Sequence, residues 1–157
     1  MNTKDVVDLL KEARVREALE AADEVEDKKA VAAAITEFAG ALNYLRGHPD
    51  LTEALLKKSL TLDPGNPLTY YNIGVAYTDP VVLEEDESRA SKAEYAFKKA
   101  VEIDPGFHEA RYNLALLYYF TGRVDEARGE YGKITADVGD DVRFRKLGML
   151  LLDYDRQ

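Results

Sequence analysis

The sequence contains no cysteine, no tryptophan and only two histidines among its 157 residues. The absence of cysteine excludes disulfide bonds, thiolate metal sites and cysteine nucleophiles. His48 and His108 are too few for a histidine-rich metal centre. No phosphate-binding glycine loop, zinc-protease motif, calcium loop or serine nucleophile elbow occurs either. We therefore predict that the chain is not an enzyme and that it holds no metal and no cofactor.

Long apolar runs and a surplus of positive charge are also missing. The chain has 30 acidic and 21 basic residues and a net charge of -9, which opposes contacts with nucleic-acid phosphates. No apolar run approaches the roughly 20 residues of a membrane-spanning helix. The start, MNTKDVVDLL, lacks the pattern of a secretory signal. We expect a cytoplasmic protein without a nucleic-acid or membrane partner.

Two short motifs recur along the chain and organise it. LTLDPGNP (60–67) and VEIDPGFH (101–108) each place Asp-Pro-Gly directly after a helical pattern. Proline cannot continue a helix and glycine accepts turn conformations, so each motif predicts a helix end and a chain reversal. Gly40 and Gly74 lie 34 residues apart, whereas Pro64 and Pro105 lie 41 apart. An insertion of seven residues in the middle repeat explains the longer interval.

These motifs resemble the tetratricopeptide repeat family, whose unit is a 34-residue helix-turn-helix. We place repeats at residues 33–66, 67–107 and 108–141, and the second matches the family pattern best. Its matching residues are Tyr70, Ile73, Gly74, Tyr77, Ala93, Phe97, Ala100 and Pro105. The resemblance implies an all-α fold, an αα superhelix or solenoid with capping helices at both ends. Small residues such as Gly40 are expected to let the two helices of one repeat approach closely.

The ends of the chain fit the repeat less well. The third repeat has Gly139 where proline is usual, and residues 142–155 predict a C-terminal capping helix with a Leu147-Gly148 pair and a polar outer face. Residues 1–27 carry two apolar stripes that point about 160° apart, so a single helix would show two apolar sides unless the chain bends near Arg14–Arg16. We expect an N-terminal helical cap or hairpin before a repeat domain at 28–157. A detachable amphipathic helix that occupies a groove is the alternative.

The insert at residues 80–87 contains four consecutive acidic residues, Glu84 to Glu87. Repulsion between like charges favours a loop there, although an extension of the following helix stays open.

In the family, the first helix of each repeat lines a concave groove, and six repeat positions point into it. Here those positions are mostly apolar or aromatic, which is typical of an interface. The predicted groove residues are Phe38, Tyr44, Tyr71, Asn72, Val75, Tyr112, Asn113, Leu116, Tyr119 and Phe120. The two asparagines are expected to hydrogen-bond a peptide backbone. Tyr77 and Tyr118 occupy packing positions and are assigned to the core.

An alternative to an open groove is burial of the same side chains. Tyr119 and Phe120 would then pack on the C-terminal helix, and Phe38 and Tyr44 on the N-terminal segment.

The resemblance implies a non-catalytic scaffold that binds a peptide or helix of a partner protein. Some members hold acidic C-termini of chaperones with a clamp of lysine and asparagine. The matched positions here are Glu37, Ala41, Asn72, Glu109 and Asn113, and only Asn72 agrees. We therefore predict that the clamp is absent and that the partner is apolar or basic rather than acidic. The alternative is a self-associating structural protein, a homo-oligomer formed through the N-terminal helix or the groove aromatics.

Overall fold

The computed structural model describes residues 1–45, 48–78 and 88–157, and in these ranges it contains helices and no strand. The predicted insert at residues 80–87 lies outside the described residues. The all-α class is confirmed. The α-helices are α1 (Thr3–Lys11), α2 (Val15–Ala22), α3 (Lys28–Leu45), α4 (Pro49–Leu62), α5 (Pro67–Tyr77), α6 (Ser88–Ile103), α7 (His108–Phe120), α8 (Val124–Val138) and α9 (Arg145–Arg156), with a 3-10 helix (Val142–Phe144) before α9.

The chain divides into two compact units, residues 1–76 and 77–157. The first unit holds α1 to α4 and nearly all of α5, and the second holds α6 to α9. This division differs from the predicted domain boundary at residue 28, which stays a prediction.

The first unit has a core to which four helices contribute. Val6 of α1, Ala18 of α2, Ile35 of α3 and Leu55 of α4 are all fully buried in it. Burying one large aliphatic side chain contributes about 1.5–3 kcal/mol, so these contacts dominate the stability of the unit. The N-terminal segment reaches this core because the chain bends between α1 and α2, where Ala13 has a φ of 60°.

A buried serine links the two helices of the first repeat. Ser59 lies where alanine is usual, and its hydroxyl donates to the carbonyl of Ala32 at 3.0 Å. This bond ties α4 to α3. Because the hydroxyl is satisfied, the substitution does not leave an unpaired polar group in the core.

Gly40 provides a close approach between helices of neighbouring repeats. A Cβ atom at Gly40 would lie 2.9 Å from Nδ2 of Asn72 on α5. The glycine therefore makes room for the first helix of the next repeat, a contact that the sequence did not predict.

In the second unit, helices meet through small residues. Ala93 and Ala100 of α6 and Ala127 of α8 are fully buried beside Phe97 and Leu114. Alanine at a helix contact brings the backbones close enough for the larger side chains to fill the remaining space. Leu147 and Leu151 of α9 are also buried in the second unit.

The two Asp-Pro-Gly motifs end helices α4 and α6 through the same hydrogen bond. In the first motif the backbone N–H of Gly65 donates to Oδ1 of Asp63 at 3.1 Å. In the second, the N–H of Gly106 donates to Oδ1 of Asp104, also at 3.1 Å. The aspartate thus closes the turn that the proline and glycine begin.

Restoring the usual proline at position 139 is predicted to destabilise the protein. Gly139 has φ 68° and ψ -144°, which a residue with a side chain rarely adopts, and its N–H donates to the carbonyl of Thr135. Gly139→Ala should cost about 1–3 kcal/mol. Gly139→Pro should cost more, because proline fixes φ near -65° and removes the donor. Urea unfolding of each variant measures this.

A matched control is Gly129→Ala in the middle of α8, where a Cβ atom meets nothing within 4 Å. This change should stabilise the protein by about 0.5–1 kcal/mol through helix propensity. A stable Gly139→Pro variant would contradict the assigned backbone conformation.

Candidate functional site

The ten predicted groove residues lie on the first helices of the three repeats. Phe38 and Tyr44 belong to α3, and Tyr71, Asn72 and Val75 belong to α5. All five lie in the first unit. The other five lie on α7 in the second unit, and they are Tyr112, Asn113, Leu116, Tyr119 and Phe120.

In the first unit, the C-terminal end of α3 presents exposed apolar side chains. Tyr44 is 91% exposed, and Leu45 beside it is exposed too. Phe38, two turns earlier, is partly buried against the core of the unit. Tyr71 and Val75 on α5 are half-buried. Of the two aromatics predicted on α3, only Tyr44 is therefore available as a large contact surface.

Asn72 is a structural residue rather than an open hydrogen-bonding group. Its side chain is only 6% exposed. Its side-chain Nδ2 donates to the backbone carbonyl of Thr36 at 3.1 Å. Its backbone carbonyl accepts from Nδ2 of Asn43 at 2.9 Å. The hydroxyls of Thr36 and Thr69 are 2.8 Å apart beside it. The expectation that Asn72 orients a peptide is corrected: it joins α5 to α3.

In the second unit, one face of α7 runs from Glu109 to Phe120, since the predicted residues recur at intervals of three and four. Phe120 at its C-terminal end is 69% exposed, and its ring meets Tyr119 edge-on with 5.4 Å between centroids. Leu116 and Asn113 along this face are half-buried. The exposed part of the predicted site is thus again the C-terminal end of a first helix.

The other end of this face is covered by the C-terminal segment. The ring of Tyr112 lies 5.1 Å from that of Phe144, and burial raises the pKa of the Tyr112 hydroxyl. Glu109 accepts a hydrogen bond from Arg143 at 2.8 Å. The predicted alternative placed Tyr119 and Phe120 against the C-terminal helix. The structure instead shows Tyr112 packed on this segment, and Phe120 stays exposed.

A polar cluster joins the buried side of α7 to the neighbouring helices. Tyr118 is buried, as predicted, and its hydroxyl donates to Oε1 of Glu94 on α6 at 3.1 Å. Arg123, just before α8, donates to Oε2 of Glu94 at 2.7 Å and lies 4.4 Å above the Tyr118 ring. Lys98 forms a further ion pair with Glu94 at 2.8 Å. Glu94 therefore links α6, α7 and the start of α8.

Tyr77 was also assigned to the core but is only half-buried. The ammonium of Lys92 lies 5.5 Å from the centroid of its ring.

The charge of Glu94 is strongly favoured in the folded state. Burial alone would raise the pKa of this carboxyl, but hydrogen bonds from Arg123 and Lys98 outweigh burial and lower the pKa from 4.5 to about 2. Asp141, hydrogen-bonded by Arg143, likewise has a pKa of about 2.

In the part of the chain that the structure describes, no group of three or more histidine, aspartate or glutamate side chains is arranged to hold a metal ion. The helices described there also include none that is long and apolar enough to cross a membrane.

Glu94 is predicted to make the stability of the second unit depend on acid pH. A group whose pKa falls on folding stabilises the protein above its unfolded pKa and loses that effect as the pH falls toward its folded pKa. The contribution should therefore be complete above about pH 4.5 and disappear as the pH approaches 2. Glu94→Gln should unfold at lower urea concentration than the unmodified protein at pH 7. If the difference in urea midpoint between Glu94→Gln and the unmodified protein stayed constant down to pH 2.5, this role would be contradicted.

Tyr112 and Phe120 are predicted to respond differently to truncation. Tyr112→Ala removes a ring packed on Phe144 and should cost about 2–4 kcal/mol of stability. Phe120→Ala removes a mostly exposed ring and should change stability by about 0.5 kcal/mol or less. Thermal unfolding of the two variants compares them directly. Equal losses would mean that Phe120 is also a packing residue.

A family model described as tetratricopeptide repeat matches residues 85–148. No curated protein matches the chain in sequence. Among solved structures, a mutant of MamA is similar with a TM-score of 0.54, at 23% identity over 87% of this chain and 93% of that one. A crystal structure of MamA has a TM-score of 0.59, at 20% identity over 85% of this chain and 72% of that one.

A monomeric mutant of IFIT1 with Gppp-AAAA is similar as well. Its TM-score is 0.59 at 18% identity, and the similarity covers 95% of this chain and 40% of that longer one. At these identities the likeness shows the fold alone. The family match and the helix order agree with the spacing of Asp-Pro-Gly and of the small residues. The predicted resemblance is thus confirmed at residues 85–148, which match the tetratricopeptide repeat model, and the solved structures share the fold.

Proposed function

We propose that this chain is a non-catalytic interaction module that holds a peptide or helix of a partner protein against the first helices of its repeats. The observation that carries the proposal is the pair of exposed aromatic residues, Tyr44 on α3 and Phe120 on α7. Each unit presents one of them. The repeat family supports this role, since its members commonly serve as scaffolds for other proteins.

Tyr44, Leu45 and Phe120 are exposed and Tyr119 is half-buried, and these four residues fall at equivalent places in two repeats. Tyr44 and Leu45 occupy positions 12 and 13 of the first repeat, and Tyr119 and Phe120 occupy the same positions of the third. A large exposed apolar side chain adds little to the stability of the fold. It gains free energy when a partner removes it from water. Aromatic residues are also enriched among those that dominate binding energy.

The charge near these residues favours an apolar or basic partner. Glu37 is an exposed acid on α3, one turn before Ala41 and two before Tyr44. An acidic peptide tail would meet this carboxylate without a lysine to balance it, since the clamp residues of the family are missing. Asn113 on α7 is the second asparagine that we propose as a polar contact, whereas Asn72 donates to the carbonyl of Thr36.

The solved IFIT1 structure contains Gppp-AAAA. That ligand is a property of IFIT1. For this chain, the net charge of -9 opposes a phosphate-rich ligand and favours a polypeptide.

Selection from a displayed peptide library with the full chain, followed by calorimetry on the chosen peptide, tests the proposal. Tyr44→Ser and Phe120→Ser should each weaken binding about 10-fold or more, the effect of losing a dominant aromatic contact. The matched control is Tyr95→Ser on α6, a second helix, whose ring is similarly exposed.

The control should leave affinity unchanged, and selected peptides should be apolar or basic. If Tyr95→Ser weakened binding while Tyr44→Ser and Phe120→Ser did not, the binding surface would lie on the second helices. Enrichment of acidic C-terminal peptides would also contradict the proposal.

A further inference from the structure

The outer face of the C-terminal helix α9 is apolar. Met149 is 65% exposed and Leu152 is 58% exposed, and they lie one turn apart on the same side of the helix. Leu147 and Leu151, on the inner side, are buried in the second unit. The helix thus has two apolar sides, although a polar outer face was expected at this end.

A cleft of about 520 Å³ lies beside these two residues, between α8 and α9. Tyr131, Gly132 and Gly148 line it together with Met149 and Leu152. Gly148 leaves room for the ring of Tyr131, because a Cβ atom at position 148 would lie 2.5 Å from the tyrosine hydroxyl. In the described ranges, α3 packs with α4 and α7 packs with α8.

The exposed face of α9 is apolar in the middle and has an arginine at each end, with Asp153 and Asp155 beside the C-terminal arginine. Arg145, Met149, Leu152 and Arg156 lie at helical spacing along it. Arg145 pairs with Asp140 at 2.9 Å, and Arg156 pairs with Asp153 at 3.5 Å. Exposed pairs of this kind contribute about 0–1 kcal/mol, so both arginines remain able to engage further carboxylates. A complementary surface would be apolar at its centre and acidic at its edges.

The hairpin of α1 and α2 offers such a surface. A cleft of about 480 Å³ between the two helices is lined by the apolar residues Met1, Leu9 and Ala21. Six carboxylates surround them, and in the described residues Glu20 and Glu24 form no ion pair. Residues 1–27 contain nine acidic and four basic side chains. This end of the chain is therefore strongly negative, and Arg145 and Arg156 on α9 carry the opposite charge.

We infer that copies of this chain associate head to tail, with α9 of one copy seated in the α1–α2 cleft of the next. Met149 and Leu152 pack on Met1 and Leu9, and Arg145 and Arg156 face Glu20 and Glu24. The contact uses two different surfaces, so each added copy leaves one of each surface free and assemblies grow with concentration. Tyr44 and Phe120 take no part, so this inference does not depend on the proposed peptide-binding role.

Light scattering on the full chain across a wide concentration range tests the inference. The unmodified protein should form assemblies whose mean mass rises with concentration and falls with added salt. Leu152→Glu places a charge on the apolar face of α9 and should give monomers. Glu20→Lys combined with Glu24→Lys reverses the charge of the cleft and should also give monomers. Tyr95→Ser, a change to an exposed ring outside both surfaces, should assemble like the unmodified protein.

Mixing the two monomeric variants distinguishes this mode from others. Each keeps one intact surface, so the mixture should form one-to-one dimers that grow no further. A monomeric unmodified protein would overturn the inference. The inference would also be overturned if Leu152→Glu abolished assembly while Glu20→Lys combined with Glu24→Lys left it intact. In that case α9 would pair with a surface other than the α1–α2 cleft. Circular dichroism of each variant checks that helical content is unchanged, and peptide affinity of the monomeric variants should equal that of the unmodified protein.

Discussion

Each helix of this chain has an apolar side that it buries only against neighbouring helices, and the rest of the structure depends on that constraint. Helices α1 and α2 have nine and eight residues, and isolated helices this short are marginal in water. Val6 and Ala18 bury their side chains in the same core as Ile35 and Leu55. Short helices thus persist because of tertiary packing rather than local propensity.

The same constraint divides a first helix into a packing side and a side that is available to a partner. On α7, Tyr118 turns inward and bonds to Glu94, whereas Phe120 two residues later is largely in water. Glu94 fixes this orientation, because the hydrogen bond from Tyr118 and the ion pair with Arg123 join α6 to α7 and to the start of α8. A rigid helix that presents an exposed aromatic loses little conformational entropy on binding. A packed repeat can therefore also serve as a binding module.

Spacing in the sequence predicted the helix pairs and the turns, because glycine, proline and small residues act locally. The Asp-Pro-Gly motifs end α4 and α6 through the properties of the two or three residues in each motif. Burial of individual side chains depends on distant partners, and there the sequence was a weaker guide. Asn72 holds a position that faces the groove in the family, yet Thr36 and Gly40 enclose it. Tyr112 is covered by Phe144, which lies 32 residues further along the chain. No local pattern signals either contact.

The most direct test of the central claim is amide chemical-shift mapping of the labelled chain with a selected peptide. The account predicts that the largest shifts fall at the C-terminal ends of α3 and α7, around Tyr44 and Phe120. Shifts confined to the second helices α4, α6 and α8 would contradict it.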